Sequence, residues 1–121
     1  MAKFASDAVL DVLLDKVATG TILTVCSAQP TTRTEAVTTF KLADVTVDSG
    51  DFTKANGDVS GRKVTVAQQS DVPVDSNGTA THVAICDGSN LLYVTTCTSQ
   101  VLTSGNTLTV PAWKIEVSDP S

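Results

Sequence analysis

The sequence predicts a mainly β protein: an antiparallel β-sandwich or small barrel with one N-terminal α-helix. Threonine occurs 19 times and valine 17 times in 121 residues, and both β-branched types favour strands. Turn-forming stretches rich in Gly, Asn, Asp and Ser separate about six to eight short strands, a spacing typical of sandwiches and barrels. A chain of this length can bury one core without disulfides or a metal, so we expect a single domain over residues 1–121.

The helix is predicted over residues 6–18. Its apolar residues recur with helical spacing and form one stripe: Leu10, Leu13, Leu14 and Val17. Ser6 is a candidate N-cap, and Gly20 offers a stop after the last turn. We interpret the stripe as a candidate docking face, directed either to the protein's own sheet or to a neighbouring subunit.

Three carboxylates lie along one edge of this helix, at Asp7, Asp11 and Asp15. A single helix edge cannot surround a calcium ion with the six or more oxygen ligands that it prefers. The spacing therefore favours a solvated acidic edge over a cation site.

The β region is predicted over residues 21–118. Strands are expected at 21–27, 42–47, 63–67, 72–74, 79–86, 91–97 and 107–117. The strand at 42–47 alternates as though one face were buried. A hairpin turn is expected at 87–90, and Pro111 implies that the last strand runs along an edge or carries a bulge.

Two connecting segments are interpreted separately. Residues 31–40 are predicted to form a short helix or turn that Thr34 could cap. Residues 48–61 are predicted to be the longest loop. That loop contains Asp48, Asp51 and Asp58, but their spacing does not match a calcium-binding loop.

The cysteines and the one histidine do not indicate a reactive or metal site. Cys26, Cys86 and Cys97 include no closely spaced pair, and the last two would lie roughly 20 Å apart along a hairpin, too far for a disulfide. His82 lies in a predicted strand without a nucleophile at a sharp turn. Hydrolase, nucleotide-binding and zinc-protease motifs do not occur, so the sequence predicts neither an enzyme nor a bound metal or cofactor.

Charge and hydropathy bear on partners and location. The net charge of −5 and the scattered basic residues oppose binding to nucleic acid. No stretch approaches the length of apolar sequence that spans a bilayer, and aspartates interrupt the N-terminal region where a signal peptide would be apolar. We therefore expect folding in the cytoplasm and no membrane or nucleic-acid partner.

Two short stretches are the most distinctive in the chain: CSAQP at residues 26–30 and GTATHVA at residues 78–84. Together with the opening MAKFASDAVLDVLLDKVATGT and the closing LLYVTTCTSQVLTSGNTLTVPAWKIEVSDP, they resemble a family of small structural proteins of tailed bacteriophages over essentially the whole chain. The resemblance carries no catalytic residues, because no motif in that family defines an activity. It implies a virion protein assembled in the bacterial host cytoplasm.

Within a virion, the resemblance leaves two roles open. One is a head decoration, or cement, protein that binds between subunits of the major capsid protein and stabilises the head. The other is a tail or tail-fibre-associated adaptor or structural subunit. By analogy with cement proteins we expect a homo-oligomer, with a trimer as the analogous state.

Overall fold

The N-terminal helix forms where its periodicity predicts it. The computed structural model describes residues 6–58 and 61–117, and α1 runs over Asp7–Val17. Ser6 is its N-cap: the Val9 backbone N–H donates to Ser6 Oγ at 3.3 Å. The predicted bounds of 6–18 are therefore correct to within one residue at each end.

Nine strands follow in the described residues. They are β1 Ile22–Cys26, β2 Lys41–Thr46, β3 Phe52–Asn56, β4 Arg62–Val66, β5 Gln69–Pro73, β6 Gly78–Cys86, β7 Leu91–Leu102, β8 Thr107–Val110 and β9 Trp113–Val117. A π-helical turn, Glu35–Thr39, precedes β2, and a 3₁₀ helix, Ser49–Asp51, precedes β3. The predicted β region extends to residue 118, which lies outside the described residues.

All strand pairs are antiparallel and form three sheets. The largest has the order β2-β1-β6-β7, the second has the order β3-β4-β9, and β5 pairs with β8. The sheets do not close into a barrel. The prediction of a mainly β protein with antiparallel sheets and one N-terminal helix is confirmed.

One apolar cluster joins the helix to all three sheets. Its fully buried members come from α1 and from strands of each sheet, among them Leu14, Leu23, Val64, Val72 and Ile85. Burying such side chains supplies the main stabilisation of a domain of this size. The helix therefore packs on the same core as the three sheets.

The sequence predicted a solvated acidic edge on α1, but two of its three carboxylates form ion pairs. Asp11 Oδ1 accepts from Arg62 Nε at 2.9 Å, and Asp15 Oδ1 accepts from Lys54 Nζ at 2.5 Å. The two basic residues lie on β4 and β3, which the sequence alone does not place beside the helix. The carboxylates thus fasten α1 to the second sheet.

The predicted loop at 48–61 is wrong in its middle. Phe52–Asn56 is β3, paired in register with β4. Only Phe52 of this strand is partly buried, so the strand lacks the alternation of apolar and polar residues by which a half-buried strand is recognised. Cross-strand pairing, rather than burial, defines it.

The predicted final strand, 107–117, is also wrong as one element. The chain leaves β8 at Val110 and re-enters a different sheet at Trp113, so that Pro111 and Ala112 form the crossing. Pro111 cannot donate to a ladder, which is consistent with a break at this point. The strand predicted at 91–97 instead continues to Leu102.

The segment 31–40 contains the short helical turn that the sequence allowed, but Thr34 makes no side-chain capping bond. Thr32 Oγ1 accepts from the Glu35 N–H at 3.1 Å, and the Glu35 carboxylate accepts from both the N–H and the hydroxyl of Thr31. The turn places Ala36 against the outer face of the largest sheet, where it is fully buried. This segment covers one part of that face.

The burial along β2 also differs from the predicted alternation. Leu42 and Ala43 are both buried although they are consecutive. Ala43 forms an isolated bridge with Val74, and Leu42 lies against Gly78, where a Cβ would come within 2.8 Å of its side chain. The pairing with β1 skips Leu42, and this irregularity interrupts the alternation, so that both residues enter the same apolar cluster.

Candidate protein-binding surfaces

The structure divides the predicted docking face of α1 between core and solvent. Leu10, Leu14 and Val17 are buried, and Leu14 and Val17 belong to the main apolar cluster. Leu13 is 57% exposed and lies on the other side of the helix. The four residues therefore do not form one free surface, and only Leu13 is available to a partner.

A second apolar strip, which we call the helix ridge, consists of Val9, Val12 and Leu13. These side chains are 57–64% exposed and follow helical spacing on the face opposite the core. Sequence reasoning missed Val9 and Val12 because the stripe of leucines explained the helix without them. Three adjacent exposed apolar side chains on one helix are a candidate contact surface for another protein.

The outer edge of the largest sheet is the other candidate surface. β7 is its terminal strand and pairs only with β6 among the described residues. It is 12 residues long, and its sequence, LLYVTTCTSQVL, contains no charged residue. An edge strand presents unpaired backbone N–H and C=O groups, which can pair with another extended chain. The absence of charge over twelve residues was visible in the sequence, but its position at an edge was not.

A cleft of about 430 Å³ lies beside β7. One wall comes from the middle of β7, and the other from β8, the Pro111–Ala112 crossing and the start of β9. The lining side chains are mostly apolar or hydroxyl-bearing and include Val83, Thr95, Cys97, Leu108 and Trp113. Val25 of β1 and Ala80 and Val83 of β6 also line the cleft, so it lies against the core-facing side of the largest sheet.

An aromatic pair lies next to this cleft. The rings of Tyr93 on β7 and Trp113 on β9 are stacked, with centroids 6.0 Å apart and planes inclined by 25°. The indole Nε1 of Trp113 is buried and has no hydrogen-bond acceptor among the described residues. A buried donor without an acceptor is costly, so this N–H lowers the stability of the fold.

The residues most capable of nucleophilic chemistry are held in structural contacts. Cys26 and His82 are cross-strand partners. The Cys26 thiol, however, donates to the Ala36 carbonyl at 3.5 Å, and its burial raises its pKa. His82 Nδ1 lies 2.8 Å from the hydroxyl of the adjacent Thr81. Burial also raises the pKa of Cys86 and of Cys97, which disfavours the reactive thiolate.

The carboxylates of the 48–58 segment serve the backbone and the neighbouring lysines. Asp48 Oδ1 accepts from the Gly50 N–H at 2.8 Å, and Asp51 Oδ2 accepts from the Asp48 N–H at 2.9 Å, which together form a capping box. Asp58 pairs with Lys63 and Lys114. Over residues 6–58 and 61–117, no three His, Cys, Asp or Glu side chains are grouped so that they could hold a metal ion.

Comparison with known proteins identifies no relative: no protein family, curated protein or solved structure matches the chain. Within the described part of the chain, no helix combines the length and apolar character needed to cross a bilayer. The candidate contact surfaces in the described residues are the helix ridge, the free edge of β7 and the cleft beside it.

Proposed function

We propose that this protein is a non-enzymatic structural protein of a tailed-bacteriophage particle, a decoration protein that binds between subunits of the major capsid protein. In this role it acts by adding contact area between neighbouring subunits. Each contact can be weak, because many copies on one lattice gain stability together. The protein is assembled onto the particle in the host cytoplasm.

The helix ridge is the observation that carries this proposal. Val9, Val12 and Leu13 project from a helix whose opposite face is anchored in the core by Leu14 and Val17. Two ion pairs, from Arg62 and Lys54, further hold the helix to the second sheet. An exposed apolar strip on a firmly anchored helix can be buried against a partner with little ordering cost to the protein itself.

The charge and the resemblance to small phage structural proteins support the same role. A net charge of −5 suits an outer particle surface better than an inner surface facing packaged DNA, because like charges repel. Of the two stretches that carry the resemblance, GTATHVA lies within β6, a central strand of the largest sheet, whereas CSAQP has only Cys26 in β1 and otherwise follows that strand.

The test is to prepare particles that lack the protein and to challenge them with heat or osmotic shock. We expect otherwise complete heads to release DNA prematurely, and we expect the protein in intact particles at a copy number comparable to that of the capsid protein. Stable heads with missing or non-adsorbing tail fibres would contradict the decoration role and favour the tail adaptor.

The ridge is tested by adding purified protein back to the deficient particles. Val12→Asp places a charge in the middle of the apolar strip at a position that is 64% exposed, so folding should be unaffected while rebinding is lost. Thr53→Asp is the matched control, because it adds the same charge at an exposed position on β3. Equal rebinding by both variants would exclude the ridge as the contact.

A further inference from the structure

We propose that two copies of this chain associate through the free edge of β7, with the two β7 strands antiparallel about a twofold axis. The largest sheet of each copy would then continue into that of the other. This proposal does not depend on the role in a virion, since it concerns only the protein in solution.

β7 differs from the other edge strands in being both long and uncharged. Charged side chains mark the other edge strands: Lys41 and Asp44 on β2, Lys54 on β3, Asp71 on β5, and Lys114 and Glu116 on β9. β8 carries no charge but has only four residues. Short length and charge are the usual protections of an edge against pairing. Among the described strands, β7 alone is a long edge without either protection.

Two irregularities along β7 show where pairing would be centred. Register shifts in the pairing with β6 leave Leu92 and the stretch 97–99 outside the regular ladder. Between them, Tyr93–Thr96 pairs residue by residue with β6. Regular extended backbone is what a second strand needs for continuous hydrogen bonding, so this stretch is the expected centre of the interface.

The lack of charge makes a second copy of β7 a suitable partner strand. The chain as a whole carries a charge of −5, so most of its surface opposes self-association. Two β7 strands can pair in any register without placing like charges opposite each other. An antiparallel pair of identical strands also satisfies twofold symmetry, the commonest symmetry of soluble oligomers.

Sedimentation equilibrium over a range of protein concentrations tests the proposal. The wild-type chain is expected to be a dimer in equilibrium with monomer. The double variant Thr96→Lys/Thr98→Lys changes two exposed side chains on the edge, and its self-association should weaken by at least about tenfold because charged side chains on an edge strand oppose pairing. Thr53→Lys, on the exposed edge strand β3, is the matched control and should associate like the wild type. Circular dichroism and thermal melting establish that each variant is folded.

The single tryptophan gives a separate readout. Trp113 emission should change on dilution in the wild type and in Thr53→Lys, and should stay at its monomer value in the double variant. A wild-type chain that is monomeric at all concentrations would overturn the proposal. So would a dimer unaffected by the two lysines, or a trimer, since a twofold strand pair closes at two copies. In the last two cases the helix ridge becomes the surface to test.

Discussion

Gly20 and Ile85 lie so close together that a Cβ added at residue 20 would stand 2.4 Å from Ile85 Cγ2. Ile85 is fully buried in the main apolar cluster. The sequence suggested Gly20 as a stop for the helix, but its larger role is to let the turn after α1 approach β6. The Gly20 N–H also donates to the Val17 carbonyl at 3.0 Å, which holds the turn in place.

Gly20→Ala should therefore lower the free energy of unfolding by about 1–3 kcal/mol, because the new methyl group displaces a side chain that has no free space. Urea unfolding followed by circular dichroism measures the change. Gly88→Ala is the control: nothing lies within 4 Å of a Cβ at that turn position, so its stability should stay close to that of the wild type. Equal stability of the two variants would show that the turn after α1 adjusts freely.

Leu13 and Leu14 are adjacent in the sequence but should respond oppositely to the same substitution. Leu14→Asp buries a carboxylate at a position that is only 1% exposed, and it should unfold the protein, because the cost of several kcal/mol approaches the whole stability of a small domain. Leu13→Asp should fold normally, since Leu13 faces solvent. Thermal melting distinguishes them, and a folded Leu14→Asp protein would contradict the placement of the helix.

Asp87 should make stability depend on acid pH. The backbone N–H groups of Ser89 and Asn90 donate to Asp87 Oδ1 at 2.7 and 2.6 Å, and these bonds lower its pKa below the ordinary value. The folded protein therefore releases this proton more readily than the unfolded chain does. The resulting stabilisation is complete above the ordinary pKa of an aspartate, near pH 4, and is lost as the pH falls through the folded-state pKa.

Asp87→Asn removes that titration and should flatten the acid side of the stability profile. Carboxyl chemical shifts measured by NMR during a pH titration give the Asp87 pKa directly. A midpoint at or above the ordinary aspartate value would refute the role assigned to the two N–H donors.

Reducing agent and EDTA should leave the melting temperature unchanged. Cys26, Cys86 and Cys97 are free thiols, and the first two are buried. The described residues contain no group of three or more potential metal ligands. A large fall in melting temperature with either reagent would reveal a cross-link or a bound ion that contributes to folding.

Thiol alkylation separates the three cysteines. Cys26 and Cys86 should be protected from iodoacetamide in the native protein and should react only after denaturation, because both are fully buried and burial raises their pKa. Cys97 is half-buried on β7 and should react first. Mass spectrometry of the labelled peptides gives the order, and early labelling of Cys26 would contradict its position beneath Ala36.

The local sequence was sufficient to predict the helix and the β class. Ser6 and the leucine spacing define α1 because a helix is specified by contacts three and four residues apart, and the density of threonine and valine favours strands wherever they pair. Three of the four residues in the predicted apolar stripe, Leu10, Leu14 and Val17, are buried. The local pattern could not separate Leu13 from Leu14, because which side of a helix meets the core depends on what packs there.

Tertiary structure decided the strand order, and with it the candidate surfaces. Phe52–Asn56 is a strand only because β4 pairs with it, and the chain changes sheets at Pro111 because β8 and β9 find different partners. The uncharged run of β7 is visible in the sequence, but a central strand can be equally uncharged. Only the sheet order, in which β7 pairs with β6 on one side and with no described strand on the other, makes that run a free edge. That order depends on pairings between segments far apart in the chain, such as β1 with β6 and β4 with β9, which no local periodicity specifies.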